Sequence, residues 1–151
     1  MENSSLGEGY LLSKICNHLN NWQQRMCDFW PESPDGVLSA SSAGRGLPCA
    51  VVSAASGAVK LRQYVDGGYV GQFPFRVGIR IAGVTSADRL AVLDFFDNLT
   101  VYLEAFVPAP DSMREYIRCR LTALPTKDST GKDGTEEYHA FYTMEYCQHG
   151  A

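Results

Sequence analysis

The sequence predicts an α+β fold: a mainly antiparallel β-sheet with two main helices packed on one face. Three observations carry this. Segments 69–82 and 137–147 alternate apolar and polar residues with period two, as half-buried antiparallel strands do. Segments 5–30 and 85–106 repeat apolar residues at spacings of three and four, as amphipathic helices do. The order helix, strands, helix, hairpin then leaves the helices to cover one side of one sheet, as a two-layer sandwich.

The first helix is expected over 5–30. Tyr10, Leu11, Leu12, Ile15, Leu19, Trp22, Met26 and Phe29 make its apolar stripe. Ser5 followed by Glu8 fits a capping box, in which hydroxyl and carboxylate satisfy orphan amides. Pro31 stops the helix, because the residue before a proline is pushed out of helical conformation. Residues 31–48, rich in Pro, Ser and Gly, read as a flexible loop that orders on assembly. Short strands are expected at 47–54 and 58–65. Asp66-Gly67-Gly68 then supplies the positive-φ positions of a reversal.

The next strand, 69–82, sends Phe73, Phe75, Val77, Ile79 and Ile81 one way and Pro74, Arg76, Gly78 and Arg80 the other. Pro74 cannot donate to a ladder, so it belongs at an edge, a bulge or a strand start. Thr85 caps the second helix, with Asp88 three residues on. Val92, Phe95, Phe96, Leu99, Tyr102, Leu103 and Phe106 form its stripe, and Pro108 and Pro110 end it. Two strands close the chain. In 115–123, Glu115, Ile117, Cys119, Leu121 and Ala123 oppose Tyr116, Arg118, Arg120 and Thr122. In 137–147, Tyr138, Ala140, Tyr142, Met144 and Tyr146 oppose His139, Phe141, Thr143, Glu145 and Cys147. Residues 127–135 read as a polar hairpin tip between them.

The 151 residues suit a single domain, 1–151, with a core that needs neither disulfide nor metal. A net charge of −4 argues against a free nucleic-acid binder, which would be basic. The five cysteines are odd in number and include no CxxC pair, so they read as reduced thiols in a cytoplasmic setting. The N-terminus has no basic region leading into an apolar run, so no signal peptide is expected. No apolar stretch is long enough to span a bilayer.

Catalytic and metal motifs are sparse. Cys16-x-His18 and Cys147-x-His149 are the nearest to ligand pairs, but structural zinc sites use wider knuckle spacings. Ser129-Thr130-Gly131-Lys132 matches S-x-x-K. That motif must open a helix, whereas here it falls in a hairpin tip. Gly44-Arg45-Gly46 lacks the spacing and the following Lys-Ser or Lys-Thr of a phosphate loop. Asp94 and Asp97 lie at helical spacing on a polar face and read as a solvated surface. No enzyme activity, cofactor or metal is expected.

Arg76 and Arg80 share the polar side of one strand; Arg118 and Arg120 share that of another. If the strands are neighbours, four guanidinium groups meet on one sheet face. In one reading the face is solvated, with Glu137 and Glu145 as partners. In the other it is a subunit interface or a lining that meets phosphate or carboxylate, both of which arginine grips with two hydrogen bonds. Trp22, Trp30 and Phe141 are the apolar candidates for such an interface.

Tyr64-Val65-Asp66-Gly67-Gly68 followed by Gln72-Phe73-Pro74-Phe75, the helix from Arg89 to Leu103, and the closing run Glu137 to Tyr146 carry a resemblance. They resemble the small tail proteins of siphophages and prophages of Gram-positive bacteria, known as minor capsid proteins or tail terminators. About two thirds of the chain is covered; the 31–48 loop and the cysteines fall outside the family's pattern. The resemblance implies an α/β sandwich and a structural virion protein at the head-proximal end of the tail, assembled in the host cytoplasm. Such subunits form a hexameric ring on the last ring of tail-tube protein, stop tube growth and present a surface to head-completion proteins. DNA passes through the lumen without sequence-specific binding. No catalytic residue is implied. The alternative from another class is a small ligand-binding or regulatory α+β module acting as a dimer, built around an apolar pocket. A cysteine nucleophile at Cys119 or Cys147 is a third, and it requires a thiol of depressed pKa.

Overall fold

A computed structural model describes residues 8–23, 38–39, 49–81, 86–130 and 136–150. Its elements in order are α1 (Glu8–Gln23), β1 (Leu38–Ser39), β2 (Cys49–Ala54), β3 (Val59–Gln63), β4 (Tyr69–Ile81), α2 (Ser86–Ala105), β5 (Arg114–Thr130) and β6 (Glu136–Gln148). The fold is α+β with a mainly antiparallel sheet. Strand order is β1-β2-β4-β6-β5, with β3 pairing a further stretch of β4. The β1–β2 pair is parallel and the others are antiparallel.

The two period-two segments form the centre of the sheet. β4 and β6 pair along their whole length, from Tyr69 opposite Gln148 to Ile81 opposite Glu136. Their apolar faces coincide: Phe73 faces Met144, Phe75 faces Tyr142, Val77 faces Ala140 and Ile79 faces Tyr138, all buried. The Phe75 and Tyr142 rings stack at 5.7 Å. Cross-strand pairs of this kind fix register, since a slip of one residue would turn every apolar side chain to solvent.

Both helices pack on that same face. Leu11, Ile15 and Leu19 of α1 and Val92, Phe95, Phe96, Leu99, Tyr102 and Leu103 of α2 join the strand residues in one core cluster. α1 lies over β1, β2 and β4, and α2 lies over β5. The last helical bond of α2 runs from Phe106 N to Tyr102 O (2.9 Å), and Pro108 follows. Tyr102 ties the helices together: its hydroxyl donates to the His18 carbonyl at 3.0 Å, and its ring stacks on the His18 imidazole at 4.9 Å. His18 Nε2 donates to the Phe106 carbonyl at 3.2 Å, which leaves Nδ1 as the acceptor of a neutral ring. Burial lowers the pKa of His18.

Three expectations change. Part of the expected loop, Leu38–Ser39, is strand β1, paired with Ala50 and Val51 of β2. The rest of 31–48 lies outside the described residues, as do the caps at Ser5 and Thr85, residues 24–30 with Trp30, and 131–135 at the hairpin tip. β5 runs on through Thr130, well past the expected end at 123, and takes in much of the expected polar tip. Its alternation is also out of phase. The register shifts between Tyr116 and Arg118, so Tyr116 and Cys119 are both buried while Ile117 is 49% exposed. A bulge inserts one residue and reverses the facing of those before it, which strict alternation cannot anticipate. Further shifts bracket Ala123 and Thr126; Pro125 sits there, on an edge strand where its missing N–H costs no ladder bond.

Candidate functional site

The sheet face opposite the helices carries the four arginines. β4 and β5 are not neighbours, because β6 lies between them, so the expected block of guanidinium groups is interleaved with β6 carboxylates. Arg80 stands opposite Glu137 and donates to it at 2.7 Å. Arg118 stands opposite Glu145 and donates from Nε at 3.0 Å, while Arg120 reaches the same carboxylate at 3.3 Å. Arg76 stands between Ser53 and Phe141 and donates from Nε to the Ser53 hydroxyl at 2.7 Å. The face is therefore a partnered charge lattice. Gly78 belongs to it: a Cβ there would lie 2.8 Å from the His139 ring, so a larger residue would force that imidazole to move.

Phe141 is half-buried on this face, next to Arg76. Trp22 belongs to the last turn of α1, and Trp30 lies outside the described residues. The arginines and Phe141 thus share one surface.

Sequence reasoning missed a second surface, the arm made by β3 and the turn after it. All five β3 residues are exposed. Leu61 is 52% exposed and Val65, at the tip, is wholly exposed. The turn is well built nonetheless. Tyr64 N donates to Gly68 O at 2.8 Å, Gly67 N to Tyr64 O at 3.1 Å, and Gly68 N to Asp66 Oδ1 at 2.9 Å. Gly67 has φ +92°, which requires glycine. The signal that could have located the arm was that Val59, Leu61, Tyr64 and Val65 keep no single periodicity and are set among Lys60, Arg62 and Asp66 in one short segment.

A third cluster lies at the far end of β6. Glu136 is buried and accepts two hydrogen bonds from Arg89, at 3.2 and 2.9 Å, and one from the Tyr138 hydroxyl at 2.8 Å. Lys127 stands 3.9 Å away. The Arg89 and Tyr138 hydrogen bonds hold the Glu136 carboxyl down at about 2. This permanently ionised group fastens the first turn of α2 to the β5–β6 hairpin.

Cys16, Cys119 and His18 are tied into the packing of the fold. Burial, aided by the nearby Glu104 charge, pushes the Cys119 thiol up to about 12, the reverse of what a nucleophile needs. Cys16 is also raised by burial. The His18 ring is bound to the Phe106 carbonyl. Among the described residues no group of three or more His, Cys, Asp or Glu is placed to hold a metal. No described helix is long and apolar enough to cross a membrane. No protein-family model matches the chain, and no curated protein matches it in sequence.

Proposed function

We propose that this chain is a structural virion protein, a siphophage tail terminator or closely related head-to-tail joining subunit. It forms a ring, in a hexamer, on the last ring of tail-tube protein and presents a surface to the head-completion proteins. The reading starts from the resemblance at Tyr64 to Gly68, Gln72 to Phe75, Arg89 to Leu103 and Glu137 to Tyr146. The observation that carries it beyond resemblance is the open sheet face together with the exposed β3 arm. A one-sided sandwich that leaves a charge lattice and an apolar arm in water suits a subunit whose surfaces are met by other subunits.

The electrostatics suit a lumen through which DNA passes. Glu137 pairs with Arg80, and Glu145 is shared by Arg118 and Arg120, so two carboxylates offset part of the basic charge of the face, in a chain of net charge −4. Dense free basic charge would make many phosphate contacts and retard transit.

The test is tube capping. Purified chain added to polymerising tail-tube protein should stop elongation and appear at one tube end by electron microscopy. Light scattering of the free or tube-released assembly should approach roughly six times the 16.6 kDa chain. Tubes that grow unchanged and never carry the chain would overturn the proposal, and saturable binding of a small ligand by a dimer would put the ligand-binding module in its place.

A further inference from the structure

Two patches remain whose apolar and charged side chains the chain itself does not match. The first is the arm. Val59, Leu61, Tyr64 and Val65 are exposed large apolar residues, and Lys60 and Arg62 lie among them. Neither cation forms an ion pair among the described residues; Lys60 Nζ lies over the Tyr69 ring at 4.5 Å. The second is the outward side of α2. Leu90 (63% exposed), Leu93 and Val101 (69% exposed) lie there with Asp94 and Asp97 between them. Spacings of three, four, seven and eleven from Leu90 place these five residues on one stripe. Neither aspartate forms an ion pair among the described residues.

We infer that these patches are the two halves of one contact between copies of this chain, the arm of one subunit lying along α2 of the next. Charge complementarity commits the occupant. The arm is apolar and net basic, with Lys60 and Arg62 against Asp66 in the turn, and the helix stripe is apolar and acidic. Topology excludes an internal contact. β3 flanks β4 on its β2 side, whereas α2 lies over β5, with β4 and β6 between them. Two complementary patches on opposite sides of one chain make a head-to-tail contact, which closes into a ring when the rotation allows. An exposed apolar edge strand is also a surface that proteins cover or pair. The inference rests on the ring-forming reading and names its contact.

The experiment is sedimentation of the full chain and three variant pairs, each checked for native circular dichroism. Lys60→Glu with Arg62→Glu reverses the arm, and Asp94→Arg with Asp97→Arg reverses the helix stripe. Either pair alone should weaken self-association by roughly 100-fold, because like charges then face each other. A one-to-one mixture of the two variants should recover assembly, since reversed arm now meets reversed helix. Arg76→Glu with Arg118→Glu tests the open sheet face as a separate contact, whose loss mixing with the arm or helix variants would not rescue. If the open-face pair abolishes assembly while the arm and helix variants keep it, the inference is overturned and the ring reading stands on another interface. A wild-type chain that stays monomeric at all concentrations also overturns it. Tube capping judges the terminator reading separately.

Discussion

β4 belongs to two different environments along one strand. From Phe73 to Ile81 it has β6 on one side, β2 along much of the other, and both helices beneath. From Tyr69 to Gln72 its second neighbour is β3, whose side chains are all exposed. The same backbone pairing thus runs from a dense core into an arm held chiefly by main-chain bonds and a tight turn. Hydrogen bonding alone extends a sheet; burial decides which part of it bears the stability. The arm can carry apolar side chains in water because the core does not depend on them, and this frees it for contact with another molecule.

The largest test of this contrast is truncation in the core. Phe75→Ala or Tyr142→Ala should cost about 3–5 kcal/mol by urea denaturation, because each leaves a cavity in a stacked aromatic pair. A loss below 1 kcal/mol would mean that the core is not where stability resides. In the arm, Gly67→Ala should cost about 1 kcal/mol, from the penalty of a side chain at φ +92°. Hydrogen exchange should show faster opening confined to β3 and the first residues of β4; uniform loss of protection would contradict the division.

A pH effect tests the seam between the helices. Burial depresses the folded pKa of His18, so the unfolded chain binds the proton more readily. Stability from the neutral ring is present above about 6.5 and is lost as pH falls through the lower folded value. Thermal unfolding from pH 7.5 to 5.5 should show this fall, and His18→Gln should flatten it. An unchanged slope in the variant would assign the dependence elsewhere. Smallest of all, Val65→Asp at the arm tip should alter stability by less than about 0.5 kcal/mol. Its readout is assembly, which should weaken while the melting curve stays put.

Much of the architecture was legible in the sequence. Period two in 69–82 and 137–147 and the stripe in 85–106 identified the central strands and α2 to within a residue or so. Elements buried on one side carry that side in their spelling. β5 was read less well, since its bulges displace the alternation and its second half is polar. The arginines were located correctly on one face, and the reading with Glu137 and Glu145 as partners holds for Arg80, Arg118 and Arg120. What the sequence left open was the choice between that reading and an unpaired block, because Glu145 lies 25 and 27 residues from the arginines it holds and Glu137 lies 57 from Arg80.

By itself the sequence determined β4, β6 and α2 with their inward faces, the glycine turn at Asp66-Gly67-Gly68 and an acidic chain without a recognisable catalytic motif. Only the tertiary structure decided which strands are neighbours. That choice put β6 between the two arginine strands and so gave three of the four arginines a carboxylate partner, and it set the β3 arm and α2 toward opposite edges of the sheet. The reason is physical: periodicity reports how a segment meets its own surroundings within a few residues, whereas ion pairing and surface complementarity depend on which distant segments packing brings together.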